Sequence, residues 1–365
     1  MNKSVYISIF LIFCFAVVFG QNKLDIDAVV DVETKSISIS QSIVYNNTSN
    51  DTLTEIYLND WNNSYSTKST PLAKRFEEEF STKFHLAKSE QRGYTVITAL
   101  KNNSNEPLEH NRLKDHPDII KVTLKNPLRP GESYNLNLNY ILSIPDATFT
   151  DYGYTKSKNF ELKYWYITPT VYDGKWNYYS NKNLNDLFVP KSDVKLKLTY
   201  PINYKATSEL DVVSMNPDNT NKTVTIEFFG ENRVDTYLSL NKLPSFGYTQ
   251  TDDFTLISNI NEKGLAGIDK VLLTDKITRY LSENLGNYPH KKLVVSNIDY
   301  NKNPLYGLNQ LPDFLSPFPD QFQYELKLLK TALKKYIDNI LLLNPRKEYW
   351  LSEGLQIYYL IKYVE

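Results

Sequence analysis

From about Leu24 to Leu256, apolar and polar residues alternate with a period near two. The stretches KSISISQSIVY (35–45), YTVITAL (94–100), IIKVTL (119–124), YNLNLNYIL (134–142), DVKLKLTY (193–200), TVTIEFF (223–229) and DTYLSL (235–240) point successive side chains to opposite faces or are rich in β-branched and aromatic residues. Turn signals separate them, among them Pro130-Gly131 and the Asn/Asp clusters at 46–51 and 216–221. The pattern predicts an antiparallel β domain over residues 21–250. One segment departs from it: in PLAKRFEEEFSTKF (71–84), Leu72, Phe76 and Phe80 recur every four residues, which predicts a short helix on the flank of the sheet.

Beyond about Thr251 the period lengthens to 3.6. GIDKVLLTDKITRYLSENLG (267–286) reads as a helix stopped by Gly286, and Leu293-Val294-Val295 reads as a strand. PSFGYTQTDD (244–253) reads as a short linker, so the two parts are expected to pack closely. Between Phe322 and Ile340, at about 100° per residue, Leu326, Leu329, Leu333, Tyr336, Ile337 and Ile340 share one face. Lys330 and Lys334 fall at its margin, where a lysine stem can lie on apolar surface with its ammonium in water. EGLQIYYLIKYVE ends at Glu365 within a helical pattern that carries no stop signal, so residues 251–365 are expected to be the front of a longer α+β domain.

Composition narrows the functional classes. With 41 Lys and Arg against 42 Asp and Glu, the net charge of −1 gives no global field to recruit nucleic acid. No glycine-rich phosphate loop and no G-x-S-x-G elbow occurs, so nucleotide and serine-hydrolase readings have no support. Residues 1–20 place Lys3 ahead of an apolar run, Ile7 to Phe19, and then Gly20. This is the layout of a secretory signal cleaved near Gly20, too short to favour a stable membrane span, and it predicts a periplasmic or extracellular protein. The only cysteine, Cys14, lies in that segment, so the mature chain has neither disulfide nor thiol nucleophile. His85, His110, His116 and His290 show no metal-ligand spacing with one another, and His290 is expected to be a surface or turn residue.

The order of a long β domain, VDTYLSL, a helix, NYPHKKLVV, YGLNQ, a long helix and WLSEG resembles the aminopeptidase N family of zinc metallopeptidases (gluzincins). The resemblance implies a saddle-like β-sandwich followed by the first part of an α+β thermolysin-like domain. That family's zinc motif is H-E-x-x-H, followed after eighteen residues by Glu within W-L-N-E-G. Trp350-Leu351-Ser352-Glu353-Gly354 is similar to the second element, and the same spacing places the first on Lys330, Thr331, Ala332, Leu333 and Lys334. The zinc-ligand positions are thus Lys330, Lys334 and Glu353, and the general-base position is Thr331. A lysine ammonium has no lone pair to give a metal, and threonine cannot take a proton from metal-bound water at useful pH, so only Glu353 could ligate. The family's G-x-M-E-N element, whose Glu holds the substrate's amino group, corresponds to Gly307, Leu308, Asn309, Gln310 and Leu311, with an uncharged amide in place of the carboxylate.

Three readings follow. The first is an exported, divergent and shortened relative that has lost catalysis, a pseudopeptidase binding a peptide or protein through Gly307, Asn309, Gln310 and Glu353 and needing no cofactor. The second is an active zinc aminopeptidase with a non-standard metal site. The third is a β-rich surface interaction protein, for which the 28 tyrosines could form a sticky aromatic face. A Lys ammonium paired with Glu353 at the vacated metal position is the arrangement expected under the first.

Overall fold

The computed structural model describes residues 20–182, 187–261, 264–308, 311 and 315–365. Residues 1–19 of the expected signal segment, Cys14 among them, and Asn309 and Gln310 lie outside them. The alternating stretches form a seven-stranded sheet in the order Asp211–Asp218, Thr223–Arg233, Ser192–Pro201, Asn22–Asp31, Ser36–Asn46, Ser133–Ser143 and Tyr94–Lys101. All neighbours are antiparallel except one central pair. Asn22–Asp31 runs parallel to Ser192–Pro201, with Ile26 beside Leu196. The chain returns to that strand from a distant part of the β region, a connection that local alternation cannot reveal.

A second sheet, ordered Thr168–Pro169, Leu53–Asn59, His116–Leu128 and His110–Leu113, packs across the first. Ile26, Ile37 and Leu196 from one sheet and Ile56, Leu58 and Ile120 from the other are fully buried in a common core. Each such side chain contributes about 1.5–3 kcal/mol relative to exposure. Gln41 is one of the polar residues buried here. Its amide donates to the Ile167 carbonyl at 2.8 Å and accepts from the Tyr140 hydroxyl, which fixes the segment through Trp165 and Ile167 against the sheet.

Two expectations fail locally. The flank helix is two pieces, α1 (Pro71–Glu78) and α2 (Lys83–Leu86). Leu72 and Phe76 are buried, but Phe80 is 93% exposed, with φ of 55° at the break that ends α1. The four-residue spacing was real only for the part of the segment that stays helical. The presumed linker is also structured. Gly247–Gln250 pairs antiparallel with Thr255–Ser258, which pairs parallel with Lys292–Val295.

Around that three-stranded sheet lie α3 (Gly267–Leu285), α4 (Asn297–Lys302), α5 (Asp320–Ile340) and α6 (Tyr349–Val364). Gly286 ends α3 with φ of 82°, a conformation that costs glycine little. Leu329, Leu333 and Tyr336 of α5 are buried against Ile277 and Leu281 of α3 and Leu293 of the strand. No helix among the described residues is long and apolar enough to cross a membrane. The β part meets this helical part through Trp61, Tyr152 and Tyr237, packed with Phe246, Ile257 and Val294.

Beside this apolar joint sits a buried ionic one. Strand Lys292–Val295 runs into Ser296, whose side chain caps α4 by accepting from the Asp299 N–H at 3.0 Å. The cap turns the Asp299 carboxylate towards the β part. There it takes the Lys163 ammonium at 3.0 Å and the Tyr152 hydroxyl at 2.6 Å, with Lys335 of α5 at 3.9 Å. Burial alone would push the Asp299 carboxyl up, but Lys163 and Lys335 outweigh it and hold the group well below the usual carboxylate range.

Replacing Asp299 by Asn removes the carboxylate that Lys163 and Lys335 share and should cost about 3–5 kcal/mol. Denaturant unfolding of Asp299→Asn beside wild type checks this, and a loss under about 1 kcal/mol would refute it. For wild type, a depressed carboxylate pKa gives stability that is complete above the unfolded value of about 3.9 and is lost as pH falls below it.

Candidate functional site

Between the β part and α4, α5 and α6 lies a cavity of ≈ 180 Å³. One wall carries Lys163, Glu209, Arg233 and Asp235, and the opposite wall carries Lys330, Thr331, Lys334, Asp338, Ser352, Glu353 and Gln356. Helix geometry brings the last group together. Lys330 and Lys334 are one turn apart on α5, Ser352, Glu353 and Gln356 lie in the first turns of α6, and the two helices pack side by side.

Each residue at the expected metal positions has its own partner. Lys330 is not at a solvent margin: it is 7% exposed, and its ammonium donates to Asn303 Oδ1 at 3.2 Å and to the Pro304 carbonyl at 3.3 Å. Asn303 donates from its other end to Glu353 Oε1 at 2.9 Å. The amide therefore stands between the lysine and the carboxylate, and no direct Lys330–Glu353 ion pair forms within 4.0 Å. The expected direct pairing is corrected to a bridge. Burial lowers the Lys330 pKa from the ordinary lysine value, and nearby Glu353 works against that shift.

Lys334 makes a two-pronged contact with Asp338, one turn on, at 2.5 and 2.6 Å. The Thr331 hydroxyl donates to the Lys327 carbonyl at 2.9 Å, so it is tied to its own helix. Gln356 donates to the Lys330 carbonyl at 2.9 Å, while its Oε1 and the Ser352 hydroxyl are buried with no hydrogen-bond partner. This donor set does not fit zinc: two ammonium groups, a back-bonded hydroxyl and one carboxylate offer a single metal-binding side chain. Among the described residues, no group of three His, Cys, Asp or Glu side chains converges to hold a metal ion.

Of the expected peptide-binding residues, Glu353 lines the cavity and Gly307 does not. Gly307 is exposed at a turn with φ of 87°, outside the wall. Asn309 and Gln310 fall outside the described residues. The pattern of residues gave no hint of Asn303, which joins the two helices' polar groups from a loop. Asp338 was also passed over, although its i+4 spacing from Lys334 is a signal that could have found it.

His290 also departs from its expected place. It is 9% exposed, donates from Nε2 to Asn339 Oδ1 at 3.1 Å, and stands edge-on to Tyr288. Burial, then the nearby Arg233 charge, lowers its pKa to about 4. On the opposite wall burial raises the carboxyls of Glu209 and Asp235, although Lys335 lowers the first and Lys163 and Lys335 the second.

With this geometry in view, comparison with known proteins gives a result on fold. No family model matches the chain, and no curated protein matches it by sequence. Among solved structures, an M1 zinc metallopeptidase from Deinococcus radiodurans matches with a TM-score of 0.55 at 16% identity, over 93% of this chain and 69% of that one. A mutant of that enzyme matches with a TM-score of 0.55 at 15% identity, over 93% and 70%. The mutant bound to a Tyr-Ser-Ala substrate matches with a TM-score of 0.52 at 15% identity, over the same shares. The likeness is one of fold. It agrees with a β-sandwich followed by the helical part of an M1 peptidase, the architecture expected from the sequence.

The lowered pKa of His290 sets a pH dependence. A histidine kept neutral by the fold gives stability that is complete above its unfolded value of about 6.5. That stability declines as pH falls towards the folded value of about 4. The His290→Gln variant should therefore lose less stability than wild type between neutral pH and pH of about 4.5, as read by urea midpoints at each pH. Parallel losses in the two proteins would contradict this.

Proposed function

We propose that this protein is an exported, aminopeptidase-like pseudopeptidase whose interdomain cleft binds a peptide, or a peptide segment of a protein, without cleaving it. The observation that carries this reading is the engagement of Lys330 and Lys334. Both occupy ligand positions of the metallopeptidase pattern, and both act as hydrogen-bonding cations in a formed cleft. Peptide hydrolysis by that class needs a Lewis acid and a base to activate water, and these residues supply neither. Binding needs only the cavity and its polar groups. Lys163, Arg233, Lys334 and Glu353 supply charged groups to its lining. In the solved M1 structure bound to Tyr-Ser-Ala, a short peptide is the bound substrate.

A second reading, binding through the β part, has one observation in its favour. The edge strand Asp211–Asp218 exposes Val212, Val213 and Met215, a row that a partner strand could cover.

The test combines metal content, turnover and binding. After dialysis against micromolar zinc, the wild-type protein should retain no stoichiometric metal and should not turn over aminoacyl anilides, yet it should bind short peptides by calorimetry. The triple change Lys330→His, Thr331→Glu and Lys334→His restores a full donor set. It should bind about one zinc per chain, and adding Glu353→Ala should abolish that binding. One tightly held zinc in wild type, lost in Glu353→Ala, would overturn the reading. Peptide binding lost on Val213→Lys and unchanged in Glu353→Ala would favour the β edge instead.

A further inference from the structure

Arg233 ends the strand Thr223–Arg233 on the cavity wall and is 5% exposed. Its guanidinium could donate five hydrogen bonds, yet among the described residues it makes no side-chain hydrogen bond and has no carboxylate within 4.0 Å. The sequence makes room for it. A Cβ at Gly230 would meet Arg233 Nε at 2.6 Å and Cγ at 3.2 Å, so the side chain lies across that glycine, where any other residue would displace it. A buried cation with no partner is among the least favourable placements in a protein unless something supplies the counter-charge.

Most neighbouring charges have partners of their own, and Asp235, whose Oδ2 is buried without a hydrogen-bond partner, does not come within 4.0 Å of the guanidinium. Glu209, the carboxyl in electrostatic reach, accepts from the Tyr237 N–H at 3.0 Å. Lys191 donates to the Asn339 carbonyl at 3.0 Å, and Lys292 to the Leu210 carbonyl at 3.0 Å. Lys163 and Lys335 share Asp299. One guanidinium fork remains, flanked by Glu209 and Asp235, which suits a planar monoanion and would repel a doubly charged phosphate. The same cavity has apolar lining from Phe188, Val189, Leu293, Leu341 and Leu342.

We propose that Arg233 is a carboxylate-binding residue, and that the ligand it recognises is a peptide with a free C-terminal carboxylate and an apolar last side chain. This rests on the peptide-binding reading above and adds polarity to it: the peptide is held by its C-terminal end. Recognition follows from the two parallel N–H groups of the guanidinium meeting the two carboxylate oxygens while the final side chain covers the apolar wall.

Calorimetric titration of the whole protein with Gly-Gly-Ala-Phe, with its C-terminal amide, and with 3-phenylpropionate tests this. The acid should bind about tenfold or more tightly than the amide. Arg233→Met should erase that preference and Arg233→Lys should keep part of it. Because Arg233→Met removes an unpartnered buried charge, its melting temperature should not fall, which separates lost recognition from lost folding. Acid and amide binding alike, or a preference that survives in Arg233→Met, would overturn the role of Arg233 and leave peptide binding standing. Binding of 3-phenylpropionate alone, dependent on Arg233, would uphold the carboxylate site and overturn the peptide as its ligand. Binding of none of the three would overturn both.

Discussion

The arrangement of the cleft depends on one buried carboxylate. Asp299 belongs to the helical part by sequence and to the β part by its contacts, since Lys163 and Tyr152 hold it from one side and Lys335 from the other. Removing such a carboxylate from water is costly, and it is tolerated because two cations, one hydroxyl and the Ser296 cap are already in place around it. The dependence is mutual: Asp299 is the charge that does most to keep each buried lysine protonated, ahead of Asp235 and, for Lys335, Glu209. Trp61, Tyr152, Tyr237, Phe246, Ile257 and Val294 make that joint attractive but non-directional. The ionic contacts add direction, fixing which residues of the β part face α5 and hence what the cavity wall contains.

With the walls held this way, the polar groups on α5 and α6 settle into contacts that need no metal. Asn303 uses its carbonyl oxygen for Lys330 and its amide nitrogen for Glu353, and so it satisfies a cation and an anion that are too far apart to pair. Lys334 is satisfied within its own helix by Asp338. A metal site would be built the opposite way, with neutral or anionic lone pairs converging on one point. Here the donors diverge, each towards a separate acceptor. Two orphaned groups, Ser352 Oγ and Gln356 Oε1, remain on the wall.

Much of the fold was legible because period and burial coincide. In strand Asn22–Asp31, Leu24, Ile26, Ala28 and Val30 are all buried, as strict alternation requires. α3, α5 and the strand at 292–295 lie close to their expected bounds for the same reason. The failures mark where tertiary contacts override local pattern. The stretch expected as strand from Asp235 is strand only over Leu238–Asn241. Asp235 instead turns inward to cap the Thr236 N–H and line the cavity. The residues at 247–250 look like linker because they are polar, and they are strand because a neighbouring strand takes their hydrogen bonds. Within the site, spacing along the chain grouped Lys330, Thr331, Lys334 and Glu353, and all four line the cavity. The bridging role of Asn303 and the isolation of Arg233 could not be read from spacing, because both arise between segments far apart in sequence.

That asymmetry bears on what the cleft can do. A cavity lined by unpaired polar atoms tends to close unless its walls are fixed independently of its contents, since collapse would let those atoms pair. In this protein the fixing elements, Asp299 with its lysines and the aromatic joint, are separate from the Lys330–Asn303–Glu353 bridge. The walls are therefore organised by contacts away from Lys330, Lys334 and Glu353, and changes at those residues need not disturb them. In a scaffold with that division of labour the polar groups on α5 and α6 can change without altering the walls, so what the walls recognise and what chemistry the helices carry are separable.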